Sequence, residues 1–229
     1  MSRIAVVSGA TGGIGVAVAL TLAGRGYQVF ALGRSSEKLA ALRSRLAGVV
    51  TVEVELDSIE AVPDGLAGVD HVNALVHCAG ISEVASVEDT RRALWEETFA
   101  ANVTGPAALT RALLPALRAG RGHVVFVNAA PGLRAVPNWS AYTASKAALR
   151  ELADSLREEE EAHGVRVTSI YPGGVRTELL RKVRHQLGRP YDPAATVSPE
   201  TLASLVATVL EFPSDAQIMD VALRAAPSA

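Results

Sequence analysis

A single cysteine, Cys78, occurs in the 229 residues, so no intrachain disulfide can form and a cysteine-rich zinc site is excluded. None of the five histidines has metal-ligand spacing, so no metal is expected. No apolar run approaches the roughly 18 residues that a bilayer span needs. The run after Met1-Ser2-Arg3 is too short for a signal-peptide core, so a soluble cytoplasmic protein without a membrane partner is expected. A charge excess is missing too. The net charge of −2 and pI of about 6.2 give no electrostatic footprint for nucleic acid. Lysine is scarce: of 22 basic residues only three are Lys, namely Lys38, Lys146 and Lys182.

What is present is an ordinary globular balance of 49% apolar and 20% charged residues, which excludes disorder. The length suits one domain spanning 1–229. Short apolar runs alternate with helical patterns. Strands are expected at 4–7, 28–32, 49–56, 72–78, 123–127, 165–171 and 218–223. The first run, Ile4-Ala5-Val6-Val7, lacks period-2 alternation, as a strand buried on both faces should. Helices are expected over 13–25, 35–46, 89–118 (broken at Gly105-Pro106), 142–162 and 199–211. The order predicts an α/β fold: one Rossmann-type, doubly wound parallel sheet of about seven strands with helices on both faces.

The turn after the first strand reads Ser8-Gly9-Ala10-Thr11-Gly12-Gly13-Ile14-Gly15. Glycines here permit a tight turn and let backbone N–H groups approach a pyrophosphate at the helix N-terminus. The second strand ends Leu32-Gly33-Arg34, with no carboxylate to bond an adenine-ribose 2′-OH. A guanidinium follows instead, suited to forking a 2′-phosphate, and this favours NADP(H).

Tyr142 and Lys146 are spaced i, i+4, so they share one helical face. Hydride delivery to a carbonyl needs a proton donor at the oxygen. A phenol is a weak acid near neutrality, and an adjacent ammonium is expected to lower its pKa.

Gly9-x-x-x-Gly13-x-Gly15 resembles the turn of the short-chain dehydrogenases/reductases, and the resemblance runs along nearly the whole chain, favouring the compact classical-type branch. It implies a cofactor site made of Gly9, Thr11, Gly12, Gly13, Ile14, Gly15, Arg34, Asp57 after the third strand, and Ala79 and Gly80 of His77-Cys78-Ala79-Gly80. Tyr142, Lys146 and the Pro172, Gly173, Val175 and Thr177 of a P-G-x-x-x-T-like segment complete it. It also implies Tyr142 as general acid/base, Lys146 as pKa depressor and ribose ligand, and Asn102 as proton relay. The substrate would be a small carbonyl or alcohol, and the assembly a homodimer or homotetramer through the two long helices.

The pattern breaks at Ala129. It stands thirteen residues before Tyr142 and three before Gly132, where the family has the serine that bonds the substrate carbonyl. Losing one such donor lowers a rate by about 10²–10³. Activity is therefore expected to be attenuated. Three explanations stay open: an engineered Ser-to-Ala change, a natural slow enzyme, and a non-catalytic NADP(H)-binding sensor or scaffold. Asn128 and Ser140 are nearby but differently spaced polar groups. Trp139, Leu133 and Pro131 are candidates for an apolar substrate pocket. The basic-apolar stretch 176–189 reads either as a lid meeting an anionic substrate or as an amphipathic surface helix.

Overall fold

The computed structural model describes residues 2–129 and 136–226. Seven parallel strands form one sheet in the order β3-β2-β1-β4-β5-β6-β7. They are β1 (Arg3–Ser8), β2 (Tyr27–Gly33), β3 (Val50–Glu53), β4 (Ala74–His77), β5 (His123–Val127), β6 (Arg166–Pro172) and β7 (Asp220–Leu223). Every crossover among the first six strands carries helix: α1 (Gly13–Gly24), α2 (Ser36–Arg45), short 3-10 turns, α3 (Arg92–Phe99) with α4 (Gly105–Gly120), and α5 (Ser140–Glu160). α6 (Glu178–Gln186) and α7 (Pro199–Leu210) lie between β6 and β7. The doubly wound parallel sheet expected from the sequence is the sheet observed.

Two apolar layers hold it. On one face Val7, Val29 and Val76 pack with Val18 and Leu22 of α1 and Leu202 and Val206 of α7. On the other, Val6, Leu75 and Phe126 pack with Leu109, Leu113, Leu149 and Leu156 of α4 and α5. Helix starts follow local chemistry. The hydroxyls of Ser35, Thr177 and Ser198 accept from Lys38 N–H (3.3 Å), Leu180 N–H (3.2 Å) and Thr201 N–H (3.0 Å), capping α2, α6 and α7.

The long helical stretch differs from expectation in where it breaks. It starts at Arg92, and the irregularity is a π-helical turn, Ala100–Thr104, rather than Gly105-Pro106. Pro106 sits in the first turn of α4, where a missing N–H is tolerated. Gly105 is required by packing, because a Cβ there would lie 2.9 Å from both Ala100 O and Leu56 Cβ. Among the described residues, no helix is long and apolar enough to cross a membrane.

β1 lies between β2 and β4, so the chain moves one way along the sheet from β1 to β3 and the other way from β4 onward, the strand order reversing beside β1. A crevice opens outside the carboxyl ends of strands at such a point. Ser8, His77 and Phe126 are aligned at those ends.

Candidate active site

Two clefts flank the N-terminus of α1. The first, about 400 Å³, is lined by Gly9, Thr11, Gly12, Arg34, Asp57, Ala79 and Gly80, seven of the residues singled out in the sequence. The second, about 240 Å³, is lined by Ile14, Ala129, Tyr142, Pro172, Gly173, Val175 and Thr177. Gly13, Gly15, Asn102 and Lys146 line neither and act from behind the walls.

The glycines of the turn have different reasons to be glycine. Gly9 has φ +64°, and a Cβ there would lie 2.6 Å from Ala79 N. A Cβ on Gly15 would fall 2.1 Å from Gly9 O, and one on Gly13 would lie 2.9 Å from Thr177 Cγ2. These three allow close packing. Gly12 does not fit that explanation: its backbone is extended (φ −86°), and a Cβ would meet nothing nearer than Gly9 O at 3.5 Å. It caps α1, with no capping side chain and no acid in the first turn. The opening amides of a twelve-residue helix therefore face a cleft kept clear of side chains, an arrangement that fits a dinucleotide pyrophosphate.

At the far end of the first cleft stands Arg34, exposed, and beside it Lys38, which the sequence reading did not single out. The scarcity that drew attention to Lys146 applied equally to Lys38. Glu55 and Asp57 border the same cleft. A Cβ on Gly33 would lie 2.9 Å from Thr11 Cγ2, so the strand end accommodates a carboxylate poorly.

Behind the second cleft is a chain of buried polar groups. Lys146, 5% exposed, donates from Nζ to Val127 O (3.3 Å). Burial pulls its pKa down to about 8, still above neutrality, so the ammonium persists at pH 7. Asn102, in the π turn, clamps Ile81: its Oδ1 accepts from Ile81 N–H (2.9 Å), and its Nδ2 donates to Ile81 O (3.0 Å) and to Ser145 Oγ (3.0 Å). Ser145 donates to Tyr142 O (2.8 Å). A side chain on Gly80 would begin 3.0 Å from Asn102 Oδ1 and 3.7 Å from Lys146 Nζ, so glycine keeps the space between them open. π turns of this kind frequently mark functional positions.

One expectation is corrected. Burial pushes the Tyr142 phenol above its ordinary value, the opposite of the lowering expected from Lys146. Lys146 Nζ lies 6.0 Å from the ring centroid, and desolvation is the cause of the shift. The Tyr142 ring stacks on Trp139, with centroids 4.6 Å apart and planes 17° from parallel.

His77 ends β4, and Cys78 follows it. His77 is buried and stacks on Phe126 at 4.8 Å, with Nε2 2.9 Å from Thr110 Oγ1. Burial lowers its pKa to about 3, so it is neutral. Cys78 borders the first cleft, and burial pushes its thiol up to about 12.

Ala129 is 6% exposed and presents only a methyl group to the second cleft. Asn128 is tied down: its Oδ1 accepts from Ala129 N–H (2.9 Å) and its Nδ2 donates to Lys146 O (3.1 Å). Ser140 does not line the cleft. Trp139 does, whereas Pro131, Leu133 and Gly132 lie outside the described residues. The sequence reading missed Ser82, which borders this cleft and accepts from Trp139 Nε1–H (2.7 Å). No spacing rule connects Ser82 to Tyr142.

The 176–189 stretch divides between its two readings. Arg181 pairs with Glu178 and Lys182 with Glu83 on the surface, as on an amphipathic helix. Arg184 and Arg189, with Leu180, Val183 and Leu187, line the second cleft, which has no carboxylate among its described lining residues.

Known proteins share this fold and sequence pattern. The short chain dehydrogenase family matches residues 3–188. An uncharacterized short-chain type dehydrogenase/reductase of Sinorhizobium fredii is 36% identical over 216 residues, covering 92% of this chain and 86% of that protein. A short-chain dehydrogenase from Streptomyces avermitilis superposes with a TM-score of 0.83 at 27% identity, covering 97% of this chain and 88% of that one. A metagenomic short-chain oxidoreductase in complex with NADP superposes with a TM-score of 0.82 at 28% identity, covering 98% of each chain. The match runs along most of the chain's length, and this chain belongs to the short-chain dehydrogenase/reductase family of oxidoreductases.

Proposed function

We propose that the protein interconverts a carbonyl and an alcohol, using NADP(H), with Tyr142 as general acid/base. The observation that carries this reading is the position of Tyr142, on the wall of the second cleft and backed by the buried Lys146 ammonium. When bound, NADP(H) supplies or takes up the hydride.

The chain's residues do the rest. Gly9, Thr11, Gly12, Gly13, Ile14 and Gly15 shape the turn that receives the pyrophosphate. Arg34, with Lys38, takes the 2′-phosphate, and Asp57 borders the adenine end. Ala79 and Gly80 form the floor. Pro172, Gly173, Val175 and Thr177 face the nicotinamide end beside Tyr142. Because burial keeps the phenol protonated, Tyr142 starts as the acid that carbonyl reduction requires. Lys146 stabilises the phenolate as the proton leaves, and Asn102 holds the relay space bounded by Gly80. Ala129 contributes no donor, so the rate falls below that of a serine form. The apolar cleft, with two guanidiniums and no carboxylate among its described lining residues, suits an apolar carbonyl compound bearing an anionic end.

The cofactor assignment is tested by binding. NADPH is expected to bind at least about tenfold more tightly than NADH, the factor that one charge-assisted hydrogen bond of roughly 1.5 kcal/mol supplies. Arg34→Ala should shrink that ratio by weakening NADPH alone. Equal dissociation constants in the unmutated protein would contradict the assignment. A non-catalytic NADP(H)-binding sensor or scaffold is the second reading, favoured by Ala129, and it predicts binding without turnover.

A further inference from the structure

We propose that Ser82 supplies the hydroxyl that Ala129 lacks, its Oγ–H donating to the substrate oxygen beside Tyr142. The proposal rests on the carbonyl/alcohol reading above. Ser82 is 2% exposed and borders the same cleft as Ala129 and Tyr142.

Its side chain is held so that the proton is available. Trp139 Nε1–H donates to Ser82 Oγ at 2.7 Å. An indole nitrogen is a donor only and cannot receive the serine proton in return. That proton has no acceptor among the described residues, while an accepted hydrogen bond makes a hydroxyl a stronger donor. Both anchors of Ser82 are tied to the Tyr142 region. The indole stacks on the Tyr142 ring. The preceding residue, Ile81, is fixed through N–H and C=O by Asn102, whose amide also reaches Ser145. The donor is therefore preorganised, which is what stabilising charge on a reacting oxygen demands.

Besides Tyr142 and Ser82, the uncharged polar side chains of the cleft, Asn128, Trp139 and Thr177, are already engaged in hydrogen bonds. Asn128 bonds Ala129 N and Lys146 O. Thr177 Oγ1 donates to Val175 O (3.3 Å) and accepts from Leu180 N–H (3.2 Å). Apart from Tyr142, Ser82 is the hydroxyl lining this cleft whose proton is uncommitted among the described residues. With this donor in place, the deficit expected from Ala129 shrinks.

Four proteins test the proposal: the unmutated chain, Ser82→Ala, Ala129→Ser and the double variant, each measured for kcat, KM and NADPH dissociation constant. Ser82→Ala is expected to lower kcat by about 10²–10³, with NADPH affinity within about twofold. Ala129→Ser alone should raise kcat by less than about tenfold, but in the Ser82→Ala background it should recover most of the lost rate, because both hydroxyls serve one oxygen. A purely structural Ser82 would not be rescued from position 129. If Ser82→Ala loses its fold through the orphaned indole N–H, Ser82→Ala/Trp139→Phe removes that orphan and carries the same expectation. Unchanged kcat in Ser82→Ala, or a loss that Ala129→Ser does not recover, overturns the proposal. Failure of the carbonyl/alcohol reading looks different: neither the unmutated chain nor Ala129→Ser then turns over any carbonyl.

Discussion

Tyr142→Phe is expected to lower kcat by about 10²–10⁴, the range associated with losing a general acid, while leaving the NADPH dissociation constant nearly unchanged. The phenylalanine ring keeps the stacking on Trp139 at 4.6 Å, so the wall of the cleft stays intact and only the proton is removed. Lys146 keeps its bond to Val127 O, because that contact does not involve the phenol. Steady-state turnover and cofactor titration on the same preparation separate the two effects. Retention of full kcat would assign the proton to another group. A parallel loss of NADPH affinity would mean that the phenol acts in binding rather than in chemistry.

The second large effect lies in the glycine turn, where two neighbouring positions should fail differently. At Gly15 an added Cβ would fall 2.1 Å from a main-chain oxygen, so the backbone itself must move. Overpacking of this kind costs about 1–3 kcal/mol, a drop of about 2–12 °C in melting temperature for a chain of this size. At Gly12 the nearest protein atom would be 3.5 Å away. Gly12→Ala should therefore cost less than about 3 °C, mostly through a poorer N-cap, yet weaken NADPH at least about tenfold by intruding where the pyrophosphate sits. Thermal melts with and without NADPH distinguish the cases. An unaltered NADPH affinity in Gly12→Ala would mean that the open space at this position does not receive the cofactor.

The parts of the fold that read directly from the sequence rest on local periodicity. Val6, Val7, Leu75, Val76, Val124 and Val125 are apolar on consecutive positions because both faces of the sheet are covered, and that pattern predicts a parallel sheet. Spacing likewise placed Tyr142 and Lys146 on one helix, and the glycine-rich turn between the first strand and the first helix. Features that depend on long-range packing were hidden. The π turn at Ala100–Thr104 has no local signature, so the break was assigned to the visible Gly105-Pro106. The direction of the Tyr142 shift depends on how deeply the phenol is buried, which i, i+4 spacing does not encode. Ser82 meets Trp139 because the segment after β4 runs beside the residue that precedes α5, where Ala85 and Trp139 form a parallel bridge. Residues 176–189 were divisible only once Glu83 was found beside Lys182 and the second cleft beside Arg184.

In the reaction proposed above, NADP(H) exchanges hydride with a carbonyl compound. The most direct test is NADPH oxidation by the unmutated protein against a panel pairing neutral aldehydes and ketones with carboxylate-bearing counterparts of similar size. NADPH consumption matched by alcohol formation is expected, with lower KM for the anionic member of a pair and little turnover with NADH. Tight NADPH binding with no alcohol formed from any member, in the unmutated chain and in Ala129→Ser alike, would contradict the proposed reaction.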